Sequence, residues 1–105
     1  MARILIKDLN TKKDETVSVN GWIDVRRDQG KLIFLDIRDR TGIVQSVVLP
    51  QNILSIEVAK QLRPEWVVEI LGKVNERPEK NKNLDVINGD IELEVLEIKI
   101  LNEAE

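Results

Sequence analysis

The sequence predicts an all-β domain, a five-stranded barrel with one helix between the third and fourth strands. Three observations lead to this prediction. Apolar and polar residues alternate with a period of two over most of the chain, as in strands with one buried face. One segment alone, residues 52–62, spaces its apolar residues like an amphipathic helix. The 105 residues, 42% of them hydrophobic, are enough to bury one core without disulfides or metal.

The first strand is predicted over residues 16–26, after a lead-in of residues 1–15 that packs its apolar side chains on the barrel. The side chains expected to face the core are Val17, Val19, Ile23 and Val25. Trp22 has the opposite parity, and Gly21 before it indicates a bulge that turns the indole into the core. Such a long, bent first strand is what a small closed barrel requires.

The second and third strands are predicted over residues 31–39 and 42–49, joined by a tight turn. In the second strand, a buried aliphatic set alternates with Phe34 and its polar neighbours. Phe34 therefore lies on the polar face of the sheet, close to Arg26 and Arg27. An aromatic ring on that face is the most informative chemical feature of the sequence.

The helix is predicted to bury a stripe formed by Leu54, Val58 and Leu62, and Pro64 ends it. The last two strands are predicted over residues 66–76 and 91–101.

Both of these strands should be irregular, the fourth at Gly72 and the fifth between Val95 and Ile98, where the apolar parity shifts. Residues 77–90 form a loop too long for a simple hairpin, and loops of this length are usually functional or disordered.

The predicted order of elements is three strands, a helix and two further strands. This order matches the OB-fold, a five-stranded Greek-key barrel. This fold binds oligonucleotides on its second and third strands, assisted by the first hairpin turn and the loop between the last two strands. Phe34 with its arginines and the long loop at residues 77–90 occupy these positions.

The residue types that are missing limit the chemistry. Without His, Cys or Tyr, the chain has no imidazole base, thiol nucleophile or soft metal ligand, so we expect no catalysis by this chain alone. The net charge of −3 argues against broad electrostatic coating of nucleic acid. No apolar run approaches the roughly 20 residues of a membrane span, and the lack of cysteine fits a cytoplasmic protein.

Two linked motifs identify a family. The first joins Gly21-Trp22, Arg26-Arg27-Asp28 and Gly30 to residues 32–45, which read Leu-Ile-Phe-Leu-Asp-Ile-Arg-Asp-Arg-Thr-Gly-Ile-Val-Gln. The second joins Arg77-Pro78-Glu79-Lys80-Asn81 to Asn88-Gly89-Asp90-Ile91-Glu92. Together they resemble the N-terminal anticodon-binding domain of aspartyl-tRNA synthetases, most closely the bacterial form, and the resemblance extends from about residue 16 onward.

The resemblance implies that residues 1–105 form an isolated OB-fold domain that binds the anticodon loop of an aspartate-type tRNA. ATP and magnesium would belong to the catalytic domain that such a ligase also has, so we expect no cofactor in this domain. By the same resemblance, the isolated domain would be monomeric and its parent enzyme a homodimer. An excised domain is then a better expectation than a free-standing protein.

The resemblance also assigns contacts. Phe34 would stack on the central uracil, and Gln45 and Arg27 would hydrogen-bond the edge of that base and the neighbouring phosphate. Glu92 would accept hydrogen bonds from the first base. Arg77, Asn81 and Asn83 would contact the third base and the nearby RNA backbone. The remaining expected RNA contacts are Arg26 and, with less direct support, Gln29, Lys31, Lys80 and Lys82. Val47 stands where the family often has a second aromatic residue.

Two other functions stay open from the sequence. The same barrel could bind single-stranded nucleic acid in general, which equal affinity for unrelated strands would indicate. It could also be a protein-interaction or engineered scaffold that has lost RNA binding, which a folded β protein without RNA affinity at low salt would indicate.

Overall fold

The first strand is the longest element, and it pairs with two different strands of the sheet. The structure is a computed structural model, and it describes residues 3–103. The strands are β1 (Thr16–Gln29), β2 (Leu32–Asp39), β3 (Gly42–Val48), β4 (Val67–Glu76) and β5 (Ile91–Asn102). The helix α1 (Ile53–Ala59) lies between β3 and β4, and two short 3-10 helices span Ile6–Thr11 and Glu79–Asn81. The predicted number, type and order of strands and of the α-helix are confirmed.

The sheet closes on itself in the order β1-β2-β3-β5-β4. The first half of β1 pairs with β4 and the second half pairs with β2, and all pairs are antiparallel except β3 with β5. Because β1 bridges the two halves, the barrel has a single interior filled almost entirely with Ile, Leu and Val side chains. Trp66 is partly buried and packs against that core.

The bend in β1 lies further along the strand than its glycine suggested. The register with β2 shifts between Ile23 and Val25, and this irregularity reverses the parity of the rest of the strand. Two predictions are therefore wrong. Val25 is 39% exposed instead of buried, and Trp22 stays outside the core cluster with its indole partly exposed. The bulge expected in β5 is confirmed, because the register with β4 skips Leu96.

The helix is shorter than predicted and presents a different face. It ends at Ala59, and its first turn is capped by the Asn52 side chain, which accepts a hydrogen bond from the Ser55 amide. Ser55 and Ala59 face the barrel, whereas Leu54, predicted to lie in the buried stripe, is 82% exposed. Leu62 is buried as predicted, but it lies beyond the helix. The packed face begins one residue later than expected, at Ser55, whose hydroxyl donates to the Leu96 carbonyl of β5 at 3.2 Å.

The lead-in packs on the barrel, as predicted. Ile6 and Leu9 in the first 3-10 helix have no exposed surface. Asp39, at the end of β2, accepts hydrogen bonds from the amides of Ile6 (2.9 Å), Thr41 (2.7 Å) and Gly42 (3.1 Å). One carboxylate thus fixes both the turn before β3 and the lead-in. Within residues 3–103, no helix is long and apolar enough to cross a membrane.

Candidate nucleic-acid interface

The outer face of β1, β2 and β3 carries the polar residues that the alternation predicted. Residues that pair directly across antiparallel strands point to the same face. The register places Arg27 opposite Phe34 and Phe34 opposite Val47, while Asp36 lies opposite Gln45 in the neighbouring row. This face therefore combines one aromatic ring with an arginine, a carboxylate and an amide.

Phe34 is on the outside of the barrel. Its side chain is half-buried and does not belong to the core cluster, whereas its strand neighbours Ile33, Leu35 and Ile37 are at most 4% exposed. Val47 lies directly across from Phe34. Its side chain is buried, but it does not belong to the core cluster. Phe34 therefore keeps part of its surface exposed on the outer face of the barrel.

Arg27 is held in place by Asp36. Two parallel hydrogen bonds join the guanidinium to the carboxylate, Nη1 to Oδ2 at 2.8 Å and Nη2 to Oδ1 at 3.1 Å. These bonds raise the pKa of Arg27 above its usual value, against the opposing effect of partial burial. A guanidinium has five N–H donors, and the bidentate pair leaves others free to bind a phosphate or a base carbonyl.

Gln45 connects this pair to the last strand. Its Oε1 accepts from Nη2 of Arg27 at 3.4 Å, and its Nε2 donates to Oε2 of Glu92 at 2.6 Å. Four polar side chains from β1, β2, β3 and β5 thus form one continuous network on the outer face. Glu92, which by the family resemblance would accept hydrogen bonds from the first base, already accepts one from Gln45.

A pocket of about 320 Å³ opens beside this network. Arg27, Asp36 and Gln45 form one side of it, and Arg77 with residues 86–89 of the long loop forms the other. Two guanidinium groups and the aliphatic side chains of the loop line the same space. The pocket can therefore take a flat, partly apolar group that carries hydrogen-bond acceptors.

The loop at residues 77–90 is ordered by its own hydrogen bonds. The Asn83 amide donates to the Gly89 carbonyl at 2.9 Å, and a Cβ at Gly89 would lie 1.8 Å from the Asn83 carbonyl oxygen, so only glycine fits. Arg77 donates through Nε to the Ile91 carbonyl at 2.7 Å and through Nη1 to the Asn81 carbonyl at 3.4 Å.

Asn88 anchors this loop to the barrel. It is 3% exposed and donates from Nδ2 to the carbonyls of Ile6 (3.0 Å) and Ile43 (3.1 Å). Asn88 was not among the predicted site residues, although the Asn88-Gly89 pair marks a backbone position with positive φ, here 61° for Asn88. Asp36 was not among them either, because a carboxylate on a polar strand face is ordinary until its partner is known.

Arg26 lies away from the interface. Its Nη1 donates to the carbonyls of Ala59 (3.3 Å), Lys60 (2.7 Å) and Leu62 (3.1 Å) where α1 ends, and its Nε pairs with Asp28. The expectation that both arginines flank Phe34 is therefore wrong for Arg26. The bulge in β1 sets which of two adjacent arginines faces out, and local alternation could not locate that bulge.

The other predicted contacts are distributed around the rim. Gln29 and Lys31 are exposed at the turn between β1 and β2, and Lys80 and Asn81 are exposed in the loop. Lys82 is the exception, because its ammonium bonds to the carboxylates of Glu76 and Glu79, which raise the pKa of Lys82. Within the described chain, no group of three or more acidic side chains could hold a metal ion.

Comparison with known proteins identifies the family. A profile of the tRNA anti-codon family, described as an OB-fold nucleic acid binding domain, matches residues 17–101. The chain belongs to this family. It is 44% identical over 90 residues, 86% of its length, to the aspartate–tRNA(Asp/Asn) ligase of Corynebacterium glutamicum strain R.

A corresponding ligase from Trichodesmium erythraeum is also 44% identical over 90 residues, 85% of this chain. The chain spans about 14–15% of these two relatives, and it is homologous to their anticodon-binding OB-fold region. The aspartyl-tRNA synthetase of Entamoeba histolytica has the same fold, with a TM-score of 0.85 at 21% identity over 100% of this chain and 22% of that one.

Proposed function

We propose that this OB-fold domain recognises the anticodon loop of an aspartate-type tRNA as part of an aspartate–tRNA ligase. The observation that carries the proposal is the position of Phe34, on the outer face of the barrel directly across from Arg27, whose guanidinium in turn bonds to the Gln45 amide. Anticodon bases are unpaired, so they can stack on a ring and present their edges to polar side chains.

The geometry supports two neighbouring binding positions. One base would stack on Phe34, a contact worth roughly 1–3 kcal/mol. The pocket between Arg27 and the long loop would take a second base or its phosphate, with Arg77 opposite. Arg27 borders both positions, and its remaining N–H donors can bind the phosphate that joins the two bases.

The third anticodon base distinguishes aspartate from asparagine tRNA, since their anticodons share guanine and uracil and end in cytosine and uracil respectively. The names of the Corynebacterium and Trichodesmium relatives include both tRNAs. We assign reading of the third base to the loop around Arg77, Asn81 and Asn83, whose backbone is fixed by the Asn83–Gly89 hydrogen bond. A loop ordered in advance lowers the entropic cost of binding.

The proposal assigns no reaction to this domain. Its residue types offer no imidazole or thiol, and the Asp36 carboxylate at the interface is engaged by Arg27, so it could take up a proton only by weakening that pair. ATP and magnesium chemistry would belong to the rest of the ligase. As parts of this proposal, the domain by itself is monomeric, the whole ligase is a homodimer, and both are found in the cytoplasm, where tRNA is charged.

The test is binding of the 105-residue chain to a 17-nucleotide aspartate anticodon stem-loop, measured by fluorescence anisotropy at fixed salt. Phe34→Ala should weaken binding by roughly tenfold or more. Trp22→Leu is the matched control, because Trp22 is also a partly exposed aromatic side chain of the sheet but lies outside the polar network. Equal affinity of wild type for an unrelated stem-loop, or no effect of Phe34→Ala, would contradict the proposal.

A further inference from the structure

The N-terminal lead-in contacts the long loop at two separate points. The buried Asn88 donates from Nδ2 to the Ile6 carbonyl at 3.0 Å. Further along the lead-in, Nζ of Lys13 lies 3.1 Å from Oδ2 of Asp90. Asn88 and Asp90 both belong to the last part of the loop, directly before β5. The lead-in is therefore bonded to the loop through one buried amide and one partly exposed ion pair.

The lead-in is itself fixed to the barrel. Ile6 has no exposed surface, and its amide donates to Oδ2 of Asp39 at 2.9 Å while its carbonyl accepts from Asn88. Near the end of the lead-in, the Asp14 amide donates to the Val74 carbonyl of β4 at 2.7 Å. Because the lead-in is attached to the ends of two strands, it offers the loop a rigid support.

The supported part of the loop is the part that borders the pocket. Asn88 and Gly89 line it, and the Gly89 carbonyl accepts from the Asn83 amide. The Asp90 carbonyl accepts from the Arg77 amide at 2.9 Å. The backbone positions of Arg77 and Asn83, to which reading of the third base is assigned, are therefore set by residues that the lead-in holds or by their neighbours.

We propose that the lead-in positions the long loop for reading the third anticodon base, with Lys13, Asn88 and Asp90 as positioning residues. This inference rests on the function proposed above, and it gives the N-terminal segment a part in RNA recognition without contact with RNA. The physical reason is entropic. A loop that is held in its binding conformation in advance loses less conformational freedom when RNA binds.

The ion pair should act on the loop without acting on the whole fold. The side chains of Lys13 and Asp90 are 36% and 23% exposed, and pairs between such groups contribute little to the stability of a domain. Local opening of a surface loop costs much less free energy than global unfolding, so a small contribution is enough to shift it. Variants of this pair should therefore loosen the loop while urea unfolding stays nearly unchanged.

The first experiment measures hydrogen exchange at the Asn83 amide in Lys13→Gln and Asp90→Asn. Exchange should accelerate by about two- to fivefold in each variant, the effect of one partly exposed ion pair. The double variant should exchange no faster than the faster single variant, because either change alone breaks the pair. Lys13→Arg keeps the charge and should keep the wild-type rate.

Lys7→Gln is the matched control for charge. Lys7 is an exposed lysine of the same lead-in, and it lies outside both contacts with the loop. Its removal should leave exchange at Asn83 unchanged. The paired variants supply a second control, because Lys13→Gln and Asp90→Asn remove opposite charges. Simple attraction or repulsion of phosphate would change RNA affinity in opposite directions, whereas release of the loop changes it in the same direction.

The second experiment measures affinity of the full chain for stem-loops that differ only in cytosine or adenine at the third anticodon position. Wild type should prefer cytosine by about tenfold. The variant Asn88→Gly with Lys13→Gln removes both contacts, and glycine accepts the positive φ of position 88. Its preference should fall to about twofold, because the loop loses two side-chain hydrogen bonds and the ion pair. The preference for uracil at the central position should stay at the wild-type value.

The outcomes separate this inference from the function on which it rests. If wild type binds no stem-loop, the anticodon function fails, and exchange at Asn83 still shows whether the lead-in holds the loop. If Lys13→Gln and Asp90→Asn both leave that exchange unchanged, the inference is refuted. It is also refuted if wild type has no third-base preference, or if the released variant is folded and keeps the full preference.

Two further results decide the remaining cases. A loss of preference at the central and third positions together would indicate general damage and contradict a positioning function. If the released variant does not fold, Lys13→Gln and Asp90→Asn decide the matter. A third-base preference that falls in both supports the inference, and one that is unchanged or moves in opposite directions overturns it.

Discussion

Arg26 and Arg27 are adjacent in sequence, yet their side chains lie on opposite faces of β1. Arg27 pairs across the strand with Phe34 on the outer face, whereas Arg26 pairs with the buried Leu35 and extends to the carbonyls at the end of α1. The same residue type therefore serves the candidate interface at one position and the fold at the next.

This relationship predicts opposite consequences for the two alanine variants. Arg26→Ala should lower the free energy of unfolding by about 1–3 kcal/mol, because three carbonyl groups lose a charged donor, with little change in RNA affinity. Arg27→Ala should weaken anticodon stem-loop binding by roughly tenfold. Urea unfolding and anisotropy titrations measure the two effects. Loss of RNA affinity in Arg26→Ala under fully folded conditions would contradict the assignment.

Asp39 predicts a pH dependence of stability. Burial opposes ionisation, but hydrogen bonds from the Thr41 hydroxyl and the amides of Ile6, Thr41 and Gly42 outweigh it and lower the pKa of Asp39 below 3.8. A group whose pKa is depressed by folding stabilises the protein above its unfolded pKa, and that contribution disappears as pH falls through the folded pKa.

Asp39→Asn should therefore be less stable than wild type by about 2 kcal/mol near neutral pH, and the gap should narrow as pH falls below 3.8. Urea unfolding at several pH values measures it. Asp85→Asn, on the exposed loop, controls for the change in net charge. A gap that stays constant from neutral to strongly acidic pH would show that the Asp39 carboxylate does not hold the lead-in.

The close approach at Gly89 predicts a local structural change in the loop. A Cβ there would lie 1.8 Å from the Asn83 carbonyl oxygen, so Gly89→Ala must open the turn. Hydrogen exchange at the Asn83 amide should accelerate, and RNA affinity should fall because one wall of the pocket is lost.

Gly30→Ala is the matched control for this prediction. Gly30 also has a positive φ, 63°, but a Cβ added there would meet no atom within 4 Å. It should cost about 1–2 kcal/mol of stability through its left-handed backbone alone, without faster exchange at Asn83. Unchanged exchange in Gly89→Ala would mean that the loop accommodates a methyl group.

Two lysines of the loop should differ in their effect on salt dependence. Lys82 is neutralised by Glu76 and Glu79, with 13% of its side chain exposed, while Lys80 is exposed. Lys80→Ala should reduce the slope of log affinity against log salt by about 0.7, the value for one phosphate contact on a single strand. Lys82→Ala should leave the slope unchanged. Equal slopes for both variants would argue against a Lys80–phosphate contact.

Local pattern was sufficient for much of the fold but for less of the site. Alternation placed Phe34 outside and Ile33, Leu35 and Ile37 inside, because side-chain direction in a strand has a period of two and needs no tertiary information. The same rule failed at Val25, because one inserted residue reverses the parity of everything after it.

The helix shows the same limit. Leu54 belongs to an apolar stripe of correct spacing, but the face that packs carries Ser55 and Ala59, and Ser55 bonds to the Leu96 carbonyl of β5. Spacing fixes which residues share a face, and only packing decides which face is buried.

The amino-acid sequence alone was enough to predict the order of elements along the chain, the aliphatic interior and the family, because these depend on local periodicity and on motifs of consecutive residues. The tertiary structure decided which arginine faces outward, that Asn88 anchors the long loop, and that Asp36, Arg27, Gln45 and Glu92 form one network. The contacts of that network join residues 9, 18 and 47 positions apart. Such contacts depend on strand register and barrel closure, which bring together side chains that no local pattern relates.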